Sequence, residues 1–427
     1  MRADRRHAGN PATLWCRSNV SIELRLIAAC IATETAGQDG ACAAVLADGR
    51  PDWILFLTLA LEHNVGGLAA AALAALPAAQ GPTAVVAALS AHGRHTARIN
   101  NDALEEQRRI LDALAAAAIP GVPLKGAWLC QRAYRDLSVR PSRDIDFLVP
   151  VAAVERMLPV LEACGYVVAT DLTPRQRQAE IDDNCEFTFP RQDRRFVIEP
   201  HWDFAPRHLA LALDMDGIWQ RVQPVTVAGM TFPTLAAEDE MILLCVHGGK
   251  EEWTRLKWLA DLAAFVTRAP GLDWSVVAER AQRQGVRRIV QLGVVLLHEA
   301  FAICTPLLEQ PEPQAQGLAK TIFRRMEIAA SVARGVSVPG TLSRVSRVRR
   351  LMRERRLDQL RYVVRSILTP DRVHFRMVRL PARLHPLYVV VKLVADYPLR
   401  PLWLIAKRFV PGFAARVYKS LVGHAPP

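Results

Sequence analysis

Asp144 and Asp146 begin the apolar run Ile145–Val149, about twenty residues after a Lys125-Gly126 pair that closes the apolar stretch Val122–Leu124. Strand side chains alternate faces, so residues two apart point the same way. Two carboxylates on one face at a strand end can hold one or two divalent cations. A glycine turn that leads into a helix N-terminus is a natural seat for phosphate. Together these residues suggest metal-dependent chemistry on a nucleoside triphosphate.

Glu199 is the candidate third carboxylate. It ends the apolar run Phe196–Ile198 and is followed by Pro200-His201-Trp202. Two-metal nucleotidyl transfer needs three acidic ligands, the third helping to hold the cation that activates the attacking hydroxyl. The expected catalytic and metal-binding set is therefore Asp144, Asp146 and Glu199. Lys125 and Gly126 are candidates for the nucleotide's phosphates, one as a point charge and the other by close backbone approach. Arg140 and Arg143 either contact phosphate or pair with neighbouring acids. His201 is either a substrate-side group or a structural histidine beside Trp202.

A second pair, Asp214-Met-Asp216, serves as an internal control. It stands in a helical or loop context, with no strand and no preceding glycine turn. The cluster His247-Gly-Gly-Lys250, Trp253, Arg255, Lys257, Trp258 and Asp261 reads as helical. It either lines the nucleotide side of a cleft or is a packed helical pair with its tryptophans in the core.

The elements that must position these groups follow from periodicity. Residues 1–19 read as a disordered leader. Residues 20–118 form an N-terminal helical region, with Trp53, Phe56, Leu57, Ala60 and Leu61 at helical spacing. Residues 119–235 form the core: strands at Val122–Leu124 and Ile145–Val149, a helix at Ala127–Tyr134 and another at Val151–Cys164 ended by Gly165. A short strand is expected at Tyr166–Ala169. Hairpins are expected around Arg191–Arg194 and around Gly229. Residues 236–318 are again helical, over Met241–His247, Leu256–Val266 and Val276–Ala300, before a proline-bearing linker at Pro306–Gln316. Residues 319–427 are basic and punctuated by proline.

The chain has 427 residues, a net charge of +12 and eight scattered cysteines with no Cys-x-x-Cys pair. That cysteine usage offers neither a zinc site nor a disulfide framework and fits a reduced cytoplasmic setting. No signal peptide or transmembrane segment is read. The charge is uneven: residues 320–427 hold 23 basic and 5 acidic residues, and residues 1–319 hold 31 and 37. The basic region is a candidate surface for an anionic partner, which includes peripheral attachment to a membrane. Its apolar run Leu387–Val394 also allows it to pack back on the body.

Leu124-Lys-Gly126, Arg140-Pro-x-x-Asp144-Ile-Asp-x-Leu-Val149, Glu199-x-His-Trp202 and the segment from His247-Gly to Asp261 resemble the uncharacterised nucleotidyltransferase family of bacteria. That family is a branch of the DNA polymerase β-like superfamily. The resemblance covers roughly residues 20–310, and the Arg-Pro-x-x-Asp-x-Asp segment is its specific part. It implies an α+β fold, with a small mixed-sheet polymerase β-like core flanked by N- and C-terminal helical regions. It also implies one or two Mg²⁺ ions, or Mn²⁺, at Asp144, Asp146 and Glu199, with Lys125 and Gly126 in the phosphate turn. The expected reaction moves a nucleoside monophosphate from a nucleoside triphosphate to a hydroxyl acceptor (small molecule, protein or RNA) and releases pyrophosphate. The alternative is a catalytically silent nucleotide-binding scaffold or antitoxin-like protein that acts through its basic tail.

Overall fold

The computed structural model describes residues 20–77, 82–168, 172–227, 230–269, 271–309, 311–333 and 345–399. The expected leader, Gly229 and the prolines beyond residue 400 lie outside them. The N-terminal part is helical: α1 (Ile22–Ala36), α2 (Ala41–Ala47), α3 (Trp53–Glu62), α4 (Gly66–Ala74) and the long α5 (Thr83–Ala116). Ser21 caps α1, and Asp52 caps α3 through the amides of Ile54 and Leu55 at 2.9 and 3.1 Å. α1 is buried almost all round, the pattern of a central helix enclosed by others.

The chain then enters the sheet region through β1 (Val122–Pro123), α6 (Gly126–Leu129) with a π-type turn over Cys130–Tyr134, β2 (Ile145–Leu148) and α7 (Val154–Ala163). It continues with α8 (Pro174–Asp183), β3 (Phe189–Pro190) and β4 (Val197–His201). The sheet is mixed, in the order β1-β2-β4-β3, with β2 and β4 parallel and the outer pairs antiparallel. Gly165 follows α7 with φ +90, as expected of a helix-ending glycine. The expected strand after it amounts to a single bridge, Tyr166 to Arg191. α8 was not anticipated, although Thr173 and Gln176 form a reciprocal capping box at its start.

α9 (Met215–Gln220) precedes a separate hairpin of β5 (Gln223–Val227) and β6 (Met230–Thr234). Helices return as α10 (Ala237–Lys250), α11 (Leu256–Arg268), α12 (Trp274–Arg283), α13 (Arg287–Phe301) and α14 (Pro313–Ala333). The apolar run Val276–Ala300 is thus two helices rather than one, broken where Gly285 takes φ +65. α14 runs straight through the boundary expected at 318/319. It buries Ala315, Leu318, Ala319, Ile322 and Met326 in the larger core, so the helical body extends past that point.

The described part of the basic region comprises α15 (Arg347–Leu351), α16 (Arg356–Leu368), α17 (Arg372–Met377) and α18 (Tyr388–Val394). It packs on the body. Val348, Met352 and Tyr362 join the larger core, and Tyr388 packs with Leu172 and Phe375. Two cores result. The larger joins α1–α4 to α10–α14, and the smaller lies beneath the sheet against α5 and α7. The architecture is α+β: a small mixed sheet flanked by helices. Among the described residues, no helix is long and apolar enough to cross a membrane.

Candidate active site

Strand alternation builds the site. Ile145, Phe147, Ile198, Phe187 and Phe189 belong to the smaller core beneath the sheet. Asp144, Asp146, Glu199 and His201 occupy the alternate positions and share the opposite face. The parallel pairing of β2 with β4 sets Asp146 opposite Glu199 and Leu148 opposite His201. Proline at position 200 faces Phe147 within this pairing, where the sequence suggested a strand end. The backbone of Asp146 is held from two sides: its carbonyl accepts from the Leu124 amide at 3.0 Å and from Gln107 Nε2 at 2.8 Å.

The Asp146 side chain lies in a buried charged chain. Its Oδ1 is 3.0 Å from Lys125 Nζ and 2.9 Å from His201 Nε2. His201 Nδ1 is 3.0 Å from Glu186 Oε2, which in turn is 3.1 Å from Lys250 Nζ. Burial opposes the charge on Asp146, but Lys125 and His201 outweigh it and hold the carboxyl well below its usual range. Burial likewise opposes charge on His201, and its bonds to Asp146 and Glu186 prevail and raise its pKa. With its two ring nitrogens against Asp146 and Glu186, His201 is fixed between them and orients Asp146.

The other two carboxylates behave differently. Burial pushes Glu199 up to about 7, reinforced by the negative charges of Asp146, Asp144 and Glu186. Burial and Asp146 raise Asp144 as well. Like charges crowd here beyond what Lys125 offsets. The ligand atoms of Asp146, Glu199 and His201 lie within 4.8 Å of one another. Carboxylate oxygens at mutual reach, carrying repulsion that a cation would relieve, fit a hard divalent ion such as Mg²⁺ or Mn²⁺. Asp146 and Glu199 are the carboxylates of that group and would hold it; Asp144, expected as a third ligand, lies on the same face but is not part of the group.

Gly126 stands at the β1 edge of this face with φ +55. A Cβ there would meet Ser142 Oγ at 3.0 Å and the Asp144 carbonyl at 3.3 Å, so only glycine brings the turn this close to the aspartates. Lys125, expected at phosphate, points inward instead and is only 8% exposed. A charged amine at that depth requires an ion-pair partner, and Asp146 is it. Arg140, also expected at the nucleotide, is buried too. It grips Asp261 with Nε and Nη2 at 2.6 and 2.9 Å and the Gly126 carbonyl with Nη1 at 3.1 Å. Tyr134 Oη donates to the same Asp261 at 3.0 Å. Arg140 therefore braces the glycine turn against α11. Arg143 is exposed.

Two contributors escaped the sequence reading. Glu186, not among the expected site residues, forms an isolated antiparallel bridge with His201. Lys257 was read only as part of the helical cluster. Burial, together with Arg140, lowers its pKa, and it faces the Asp144 charge from α11. Counting back across the Arg191–Arg194 turn would have set Glu186 opposite His201. Trp253 and Trp258 are core residues, and His247 packs edge-on against Trp258. The control pair has a structural role, with Asp214 capping α9 through the Gly217 amide at 3.0 Å.

The sheet thus sets acids on one face beside a glycine turn. The chain matches the model of the uncharacterised nucleotidyltransferase family over residues 49–302, more than half its length, and belongs to that family. No curated protein and no solved structure matches it. Membership supports a transferase with a nucleotidyl-transfer role.

Proposed function

We propose that this protein is a metal-dependent nucleotidyltransferase that moves a nucleoside monophosphate from a nucleoside triphosphate to a hydroxyl. The observation that carries this reading is the side-by-side placement of Asp146 and Glu199 on paired strands, with Asp144 on the same face and the Gly126 turn at its edge. The bond between the α-phosphorus and its bridging oxygen breaks, pyrophosphate leaves, and the acceptor oxygen bonds to the α-phosphorus. When bound, the cation supplies charge neutralisation and a more acidic acceptor hydroxyl.

The protein's own residues do the rest. Gly126 lets the phosphates approach the aspartates, and Arg140 with Asp261 fixes that turn. His201 and Glu186 hold Asp146 in one orientation. Glu199, paired beside Asp146, would help hold the cation next to the attacking hydroxyl. Lys257 adds positive charge on the Asp144 side. Catalysis is then positioning and charge stabilisation.

The test is incubation of the purified chain with each α-labelled nucleoside triphosphate, Mg²⁺ and a cell extract. Labelled product and pyrophosphate are expected, both lost in Asp146→Asn. The silent alternative has one observation on its side: Lys125 already neutralises Asp146 at 3.0 Å. Absence of any Mg²⁺-dependent turnover, with triphosphate binding retained, would favour it.

A further inference from the structure

Across the sheet, the order runs from the Gly126 turn to Asp146, then Glu199, then the segment Glu186–Thr188 beyond β4. In phosphoryl chemistry the attacking and leaving oxygens lie roughly in line on opposite sides of phosphorus. With the triphosphate seated at the Gly126 edge, the acceptor must arrive from the Glu186–Thr188 edge. A cavity of about 530 Å³ opens there. Glu186 and Thr188 form its wall nearest the carboxylates, and Thr188 Oγ1 lies 3.5 Å from Glu199. The far wall comes from the C-terminal region, through Arg349 on α15 and Val373 on α17.

The cavity wall carries four acidic groups, Glu180, Glu186, Glu251 and Asp371, against three basic ones, so its net charge is small. Lys250 pairs with Glu186, and Arg349 pairs with Glu252 at 3.3 Å while donating to the Lys250 carbonyl at 2.9 Å. His208 is neutral, its pKa lowered to about 4 by burial and by the nearby Arg349. What remains is a polar wall of compensated charge with an apolar strip at Phe187, Leu209 and Val373. The volume is that of a small-molecule site and gives no track for a polymer.

We infer that this cavity is the acceptor site and that it takes a small, neutral, hydroxyl-rich molecule of the polyol or sugar class, with the C-terminal region completing it. This rests on the nucleotidyl-transfer reading. The hydroxyl's proton leaves to solvent as its oxygen bonds to the α-phosphorus and pyrophosphate departs.

The test uses the full chain, Mg²⁺, an α-labelled nucleoside triphosphate and a cell extract split by filtration into small molecules and macromolecules. Label is expected in a small product that resists phosphatase, yields the nucleoside monophosphate with phosphodiesterase, and carries only the single phosphodiester charge on ion exchange. Val373→Trp, at an exposed position, should fill the cavity and cut that transfer more than about tenfold while triphosphate affinity stays unchanged. Val390→Trp, an exposed position on α18 outside the cavity, should transfer normally, which separates filling from a general effect of added bulk on the C-terminal region. Label on protein or RNA, a product with extra negative charge, or wild-type transfer by Val373→Trp would each overturn the proposal. Loss of Mg²⁺-dependent triphosphate turnover in the wild type itself would instead overturn the underlying reading.

Discussion

Arg140 and Asp261 are 121 residues apart and meet in a two-pronged ion pair at 2.6 and 2.9 Å, which ties the glycine turn to α11. Both side chains are buried, and the Tyr134 hydroxyl supplies a further bond. Removing one partner would leave an uncompensated buried charge, which typically costs about 3–5 kcal/mol. Arg140→Ala should lower the urea midpoint accordingly, and Arg140→Lys should recover only part of the loss because an ammonium lacks the planar fork. At temperatures where both variants are folded, their KM for triphosphate should rise together with the lost stability, because the Gly126 carbonyl loses the bond that holds the turn. A wild-type midpoint with a raised KM would return Arg140 to the phosphates.

Asp146→Asn should abolish turnover while preserving the far-UV circular dichroism spectrum. The amide keeps the volume but leaves Lys125 and His201 facing a neutral group, so the melting temperature should fall as well. Retained turnover in this variant would remove Asp146 from the mechanism.

Cation binding should depend on pH through Glu199, whose pKa is pushed up to about 7. Below that pH the carboxyl holds a proton that an incoming cation must displace. Apparent Mg²⁺ affinity should therefore climb by up to about tenfold per pH unit on the acid side and level off above 7. Calorimetry at pH 6 in buffers of different ionisation enthalpy should count close to one proton released, and Glu199→Gln should release none. The metal-free protein should also lose stability as pH rises from 4.5 through 7, because the folded state binds the extra proton in that window. A pH-independent affinity would disprove the assignment.

Asp214→Asn combined with Asp216→Asn should leave triphosphate binding and turnover near wild type, since Asp214 serves as a helix cap. Asp214→Ala should cost about 1 kcal/mol in stability through loss of that cap. Loss of Mg²⁺-dependent nucleotide binding in the double variant, comparable with that of Asp146→Asn, would show that the wrong pair had been chosen.

A chain cut after residue 344 should aggregate. It would uncover the surfaces that now bury Val348, Met352, Tyr362 and Tyr388, and it would leave the Leu209 carbonyl without the bond that Arg353 Nε makes at 2.7 Å. A soluble, monomeric truncated protein with normal melting behaviour would show that the C-terminal region only rests on the body.

The acidic face was readable because strand alternation is local: spacing alone aligns Asp144 with Asp146 and Glu199 with His201. The α+β order of strands and helices around that face was readable from the same kind of local periodicity. Inward turns of Lys125 and Arg140 were not, because spacing says nothing of depth, and it was depth that committed each to a carboxylate. Asp261 and Lys257 required knowing that α11 folds back over the glycine turn. The break at Gly285 and the run of α14 past residue 318 were hidden for a related reason. Apolar periodicity continued through a left-handed glycine in one case, and a proline-bearing stretch masked a helix start in the other.

The facing of Asp146 and Glu199 also bears on how a preparation of this protein should be judged. The two residues meet because one short parallel pairing, between segments some fifty positions apart, closes in a single alignment. A slip by one position would send one carboxylate into the apolar layer and leave helix content untouched. Spectroscopy would score such a molecule as native, yet it would be inert. The fraction of chains that bind a cation is therefore a direct count of those folded correctly, and activity per milligram measures folding fidelity as well as chemistry.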